Sequence, residues 1–419
     1  VSAAAPAAGA AVPWYREVTS KQWYALAAGQ AGWALDAFDV MLYSFCLTTI
    51  MREWHSTPAT AGFMVTVTLF ASSIGGIAFG AVADAVGRKK ALMLTVLVFS
   101  LCSGLSGLAQ NLTQLAIART LLGLGMGGEW ASGALLVSET WPPQHRGKAV
   151  GIMQSGWAIG YILAALCGWL VLPALGWRAM FFVGVLPALF TLWIRAKLDE
   201  PEIWVKAAAE DRARQRSAVG LFRIFAPDLL RFTILSTLTS AFVMFAYWGL
   251  FTWMPGYLSQ PIASGGAGLG VRGALWIIPM MTGAFFGYLS FGFIADALGR
   301  RPTFAAYLLI SALLVWIFGT TRNATVLLWL GPLLGFFGSG YFSAFGAFLS
   351  ELFPTRARGS AVGFCYNTGR MLSALAPTVV GALSVRYGLG GALAFLAIAF
   401  VGGAASIYLL PETRGRQLA

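Results

Sequence analysis

Five side chains in this 419-residue sequence carry charge inside long apolar runs: Asp36, Asp39, Arg119, Glu129 and Arg370. Near the middle of a bilayer such a charge costs about 2.5–3.5 kcal/mol on insertion scales, so each needs a partner or a purpose. Asp36 and Asp39 stand three apart and share roughly one helix face. Two carboxyls so placed can share a proton and titrate as a pair. Arg370 closes the run CYNTGR, which sets Tyr366, Asn367 and Thr368 beside it. A guanidinium grips a carboxylate through a bidentate fork, so Arg370, Asn367 and Tyr366 are candidates to bind an organic anion. A packing salt bridge from Arg370 to Asp36 or Glu129 is the alternative. Glu129 lies about 15 Å along its helix from Arg119, toward another side. It is either a second proton site or a buried hydrogen-bond anchor.

These residues need helices long enough to hold them at depth. A span takes about 20 mainly apolar residues. Twelve stretches qualify: 22–50, 60–83, 91–109, 113–138, 149–172, 177–195, 229–257, 273–295, 302–320, 324–349, 360–385 and 388–410. The longest hydrophilic stretch, 196–228, suggests a division into 1–195, a linker, and 229–419. Composition agrees: 58% of residues are hydrophobic and only 11% charged, against about a quarter charged in soluble domains. Residues 1–21 have no basic segment ahead of an apolar core, so no cleaved signal peptide is expected there.

The net charge of +12 invites a nucleic-acid reading, but its distribution argues otherwise. With both termini in the cytoplasm, 21 basic residues fall on the inside, five outside and two within spans. That bias follows the positive-inside rule and predicts a multi-pass inner-membrane protein, with no nucleic-acid partner. Cys46, Cys102, Cys167 and Cys365 sit singly in separate spans, and the only histidines, His55 and His145, lie in loops. Neither metal-ligand spacing nor a nucleophile–base arrangement appears, so no cofactor, metal site or enzyme activity is expected.

The two halves repeat. GAVADAVGRK at 80–89 matches GFIADALGRR at 292–301, and SETWPPQHRGKAVG at 138–151 matches SELFPTRARGSAVG at 350–363. One offset of 212 residues serves both, which marks a duplicated unit. Parallel repeats of this kind place a substrate site near midplane between the halves. Adding 212 maps Asp36, Asp39, Arg119 and Glu129 onto Trp248, Phe251, Gly331 and Tyr341; subtracting it maps Arg370 onto Ala158. The scaffold therefore does not require these charges, and the asymmetry favours function.

Gly80, Asp84, Gly87, Arg88 and Lys89 resemble the loop motif of the major facilitator superfamily, and Arg119 with Gly123 resembles its helix-4 motif. Glu139, Pro142, Arg146–Gly147 and PETRGR at 411–416 resemble the sugar-porter and metabolite–proton symporter branch. LDAFDVMLY at 35–43 and GLGMGGEWASG at 123–133 are most similar to the sialate, lactate and aromatic-acid proton symporters, although Ala37 stands where acid symporters usually carry Gly. The resemblance covers essentially the whole chain. It implies an all-α membrane protein of major facilitator fold, with twelve transmembrane helices in two pseudo-symmetric six-helix bundles.

The resemblance also implies roles. Asp39 aligns with the helix-1 aspartate that pairs with the helix-4 arginine in related sugar porters. Asp39 is then the proton carrier and Arg119 its counter-ion, with Asp36 and Glu129 also in the proton-coupling set. A static buried ion pair is the alternative. Asp84, Arg88, Glu139, Arg146, Asp296, Arg300, Glu351 and Arg358 form a gating network that latches the halves; topology signals and helix-end charges are the alternative. Gln154, Ser155, Trp157 and Tyr161 on the fifth span, and Tyr247, Trp248 and Trp253 on the seventh, are expected to line the pocket around Arg370; aromatic residues at the membrane interfaces are the alternative for the rings. The expected function is proton-coupled symport of a small organic anion by a functional monomer. The anion is a monocarboxylate such as lactate or pyruvate, or an aromatic or sialic acid. A proton-coupled sugar porter and a facilitative carrier of organic cations or drugs are the alternatives.

Overall fold

The structure, a computed structural model, describes residues 14–142, 145–200 and 224–414. Most of the 196–228 segment thus lies outside the described residues, as do Gly415 and Arg416. The first bundle holds α1 (Ser20–Glu53), α2 (Pro58–Val86), α3 (Arg88–Leu108), α4 (Leu112–Thr140), α5 (Arg146–Val183) and α6 (Phe190–Lys197). The second holds α7 (Pro227–Ser259), α8 (Gly273–Leu298), α9 (Arg300–Thr320), α10 (Ala324–Gly340), α11 (Phe342–Glu351), α12 (Thr355–Ser373), α13 (Ala376–Ala394) and α14 (Leu396–Tyr408). Nine helical stretches among the described residues are each long and apolar enough to cross a bilayer. The remaining crossings are interrupted by breaks or follow the preceding helix through a sharp bend.

Three departures from the expected spans have local causes. The sixth span begins at the end of α5, passes through a 3-10 turn at Leu186–Leu189 and finishes as α6. Pro187 sits in that turn. The tenth span breaks at Tyr341 into α10 and α11. The eleventh breaks between α12 and α13, where Pro377 lacks the N–H that would bond the Ser373 carbonyl.

The backbone repeats as the sequence does. Gly87 and Gly299, at φ 108° and 106°, turn the chain between the second and third helices of each bundle. Gly176 and Gly388, at φ 77° and 70°, make the bends into the sixth and twelfth spans. Both pairs are 212 apart and occupy backbone that only glycine adopts freely. Asn111 and Asn323, again 212 apart, cap α4 and α10.

The Gly87 and Gly299 turns leave α3 and α9 with no side-chain cap of their own. Carboxylates from elsewhere supply it. Glu200 accepts from the Lys89 and Lys90 amides at 3.1 and 3.4 Å; Glu412 accepts from Arg300 and Arg301 at 2.9 and 3.0 Å. A negative charge is favoured at a helix N-terminus. Burial acts to raise the Glu412 pKa, but four backbone N–H groups outweigh it and hold the carboxyl below its usual range.

Within each bundle α2 lies along α4 and α8 along α10. Between bundles the main contacts are α2 with α12–α13 and α5 with α8, which the repeat makes equivalent. Large apolar side chains such as Leu175, Val385 and Trp329 point outward, more than 70% exposed, where a bilayer would cover them.

Candidate substrate cavity and buried charges

A cavity of about 390 Å³, part of it open to solvent, lies between the bundles. Its wall is Trp33 from α1, Gln154 and Trp157 from α5, Met244, Tyr247 and Trp248 from α7, Tyr288 from α8, Phe342 from α11, and Tyr366 and Arg370 from α12. Seven of these ten are aromatic. Trp157 bridges the bundles, tilted on Trp33 at 4.7 Å and edge-on to Trp248 at 5.6 Å between ring centroids. Arg370 is 2% exposed, and among the described residues its guanidinium has no ion pair or hydrogen bond. It lies 5.8 Å from the Tyr366 ring centroid. A buried, unpaired guanidinium in an aromatic box suits an anion with a flat or apolar body.

The cavity is shut on the face away from the chain ends. There Thr66 donates to the Ala374 carbonyl at 2.6 Å and lies 2.7 Å from the Thr378 hydroxyl. Tyr161 donates to the Phe251 carbonyl at 2.6 Å. Gly62 sits tightly on Pro377 and Gly381 on Pro58. Gly147, Gly292 and Gly363 continue the helix faces of Gln154, Tyr288 and Tyr366 toward the face that carries the chain ends. A Cβ added at any of the three would meet no atom within 4 Å.

Behind the cavity, Asp36, Asp39, Arg119 and Glu129 are all fully buried. Neither oxygen of Asp36 or Glu129 has a hydrogen-bond partner among the described residues. Arg370 and then Arg119 are the charges that act most on Asp36, and Asp36 is the one that acts on Glu129. Asp39 takes a hydrogen bond from Ser103 on α3, and its charged neighbours are Arg119 and Asp36. Arg119 is no closer than 4 Å to any described carboxylate oxygen. Its guanidinium lies 5.1 Å from the Tyr43 ring and 5.8 Å from that of Phe181. Asp39 and Arg119 are neighbours across α1 and α4 but do not form a direct ion pair.

The family model described as Major Facilitator Superfamily matches residues 32–291 and 266–418. The chain belongs to the Major Facilitator Superfamily. This facilitator is 37% identical to a protein of Cupriavidus pinatubonensis described as a probable 4-methylmuconolactone transporter, over 96% of this chain and 93% of that protein. It is 33% identical to the sialic acid transporter NanX of Escherichia coli, over 93% and 94% of the two chains. The partially occluded inward-open form of the E. coli xylose transporter XylE superposes with a TM-score of 0.78. At 17% identity, covering 96% of this chain and all of that one, it shares the fold. The protein is therefore a multi-pass membrane transporter and not an enzyme.

Of the cavity residues expected from sequence, the facilitator brings together Arg370, Tyr366, Gln154, Trp157, Tyr247 and Trp248. Four fall outside. Ser155 accepts from Gln30 at 3.1 Å, and Trp253 donates to the Pro377 carbonyl at 2.8 Å. Asn367 is about 100° around α12 from Tyr366, donates to the Gly363 carbonyl at 3.0 Å and faces Gly76 on α2. Tyr161 lies further along α5 and spends its hydroxyl on closing the far side. Trp33, Met244, Tyr288 and Phe342 line the cavity without having been expected there; a mid-span aromatic looks the same in sequence whether it faces lipid or cavity. Ser103 was also missed, since nothing in the sequence sets it apart from the other serines of its span.

Among the described residues, the Arg88 and Arg300 side chains on the face of the chain ends form ion pairs within their own bundles. Arg88 grips Glu139 with two hydrogen bonds, 3.0 and 2.9 Å, and bonds the Ala83 carbonyl. Arg300 pairs with Asp296 at 3.0 Å and Glu351 at 3.3 Å. The Asp84, Arg146 and Arg358 side chains lie outside the described residues.

Proposed function

We propose that this transporter moves a small organic anion together with a proton, by alternating access at the cavity around Arg370. The observation that carries the reading is the buried, unpaired Arg370 guanidinium in the wall of an aromatic cavity. Its fork takes the substrate carboxylate, the rings take the carbon body, and Gln154 completes the polar contacts. Asp39 carries the proton, with the Arg119 charge nearby, while Asp36 and Glu129 extend the buried acids toward Arg370. A protonated aspartate and a bound anion move as a pair, so the loaded site crosses with its charge balanced. The names of the two relatives, a sialic acid and a methylmuconolactone transporter, support a small organic acid as cargo.

The basic residues support an orientation with both termini in the cytoplasm of a cell whose inner membrane holds the protein. The face that carries the chain ends is then the cytoplasmic one, and the gating charges lie on it. Division into residues 1–195 and 229–419, joined by 196–228, fits the two bundles, and the monomer is the functional unit.

Trp33, Trp157 and Trp248 offer a direct test of binding. Benzoate, a sialic acid and xylose are titrated into purified protein while tryptophan emission is followed. Saturable quenching by a carboxylate and none by xylose is the expected result. Quenching by xylose alone would favour a sugar porter and sink the anion reading.

A further inference from the structure

We infer that Ser103 is a positioning residue that relays the protonation state of Asp39 to the sixth span. The inference rests on the reading of Asp39 as proton carrier. The Ser103 hydroxyl has two acceptors in reach, Asp39 Oδ1 and the Phe181 carbonyl at 3.3 Å, but only one hydrogen. While Asp39 is ionised, that hydrogen goes to the carboxylate. When Asp39 holds a proton, the carboxyl O–H donates to Ser103 Oγ, and the serine hydrogen turns to Phe181. No covalent bond changes at Ser103; donor and acceptor exchange roles.

Three features favour this assignment. Ser103 and Asp39 are both fully buried, so bulk solvent does not compete. Gly184 leaves the room: a Cβ there would strike both Ser103 Oγ and Asp39 Oδ1. The acceptor is well placed to pass the change on. Phe181 lies beneath the Arg119 guanidinium and edge-on to Trp177 at 5.8 Å, and Trp177 Nε1 bonds Glu53 at the closed face at 2.6 Å. The ionisable groups around Asp39 and Arg119 are Asp36, Tyr43 and Cys46 on α1, and Cys102 on α3. From the sixth span the facing groups are the neutral Phe181 and Gly184.

The test needs no substrate. Infrared difference spectra of the purified full chain are recorded through a pH titration, and Asp39→Asn identifies the Asp39 carboxyl band. A hydrogen bond to the ionised form favours that form. Ser103→Ala should therefore move the midpoint of the Asp39 band to higher pH by about one unit, tenfold in proton concentration. Ser103→Thr, which keeps the hydroxyl, should restore it. Ser100→Ala removes a buried serine of α3 whose hydroxyl has no partner, and should leave the midpoint in place. A band that titrates but ignores Ser103→Ala overturns the relay alone. If no band that Asp39→Asn abolishes changes between about pH 4 and 10, the carrier reading falls and the relay with it.

Discussion

At the scale of single residues, Arg370 carries the recognition. Lysine keeps the charge but loses the planar fork and the face that rests beside Tyr366. Arg370→Lys should weaken carboxylate binding about tenfold, the equivalent of roughly 1.4 kcal/mol, measured by tryptophan quenching; unchanged affinity would remove the fork from the account. Glu412 makes a separate prediction outside the membrane. Its folded pKa is depressed, so its contribution to stability is present above the unfolded pKa of about 4.3 and fades as pH falls through the folded value. The acid-side fall in Tm below about pH 5 should be shallower in Glu412→Gln than in the parent.

The charges were legible because an ionised group in an apolar run is costly wherever it points. Asp36, Asp39, Arg119, Glu129 and Arg370 are all buried where the sequence put them. Their partners were less legible. Helical spacing gives depth along a helix, but not which neighbour meets a side chain. Ser103, not Arg119, therefore holds the Asp39 carboxylate, and Asn367 turns away from the cavity that Tyr366 lines.

At the scale of elements, the bends at Gly176 and Gly388 decide where the sixth and twelfth spans begin. A Cβ at Gly176 would meet nothing within 4 Å, so Gly176→Ala isolates the backbone effect. At φ 77° and ψ 176° that effect should be about 1–3 kcal/mol of destabilisation. Gly292→Ala, in regular helix and equally open space, should be neutral or slightly stabilising. Equal Tm losses for both would show that the bend is not strained by a side chain. The span count and the 212-residue repeat could be read from sequence because apolar length and motif spacing are one-dimensional properties. The breaks in the tenth and eleventh spans could not, since both halves of each are apolar and Pro377 also suits the first turn of a helix.

At the scale of the molecule, two equivalent seams between the bundles set the conformation. Contacts at Thr66, Tyr161 and Gly381 close the side away from the chain ends. Each hydrogen bond at such a seam contributes about 1 kcal/mol, so small changes move the balance several-fold. Thr66→Val removes the bonds to Ala374 and Thr378. It should lengthen the mean distance between spin labels at the exposed His55 and Ser264, one on each bundle at the closed face. No lengthening would mean that Thr66 does not hold this seam.

The most direct test of anion–proton symport uses proteoliposomes loaded with a pH-sensitive dye at equal internal and external pH. Addition of the carboxylate that binds most tightly should acidify the lumen. That acidification should be lost in Asp39→Asn, and should be about tenfold slower in Arg370→Lys at carboxylate levels well below saturation. Carboxylate uptake without any acidification, or acidification that persists in Asp39→Asn, would contradict the account.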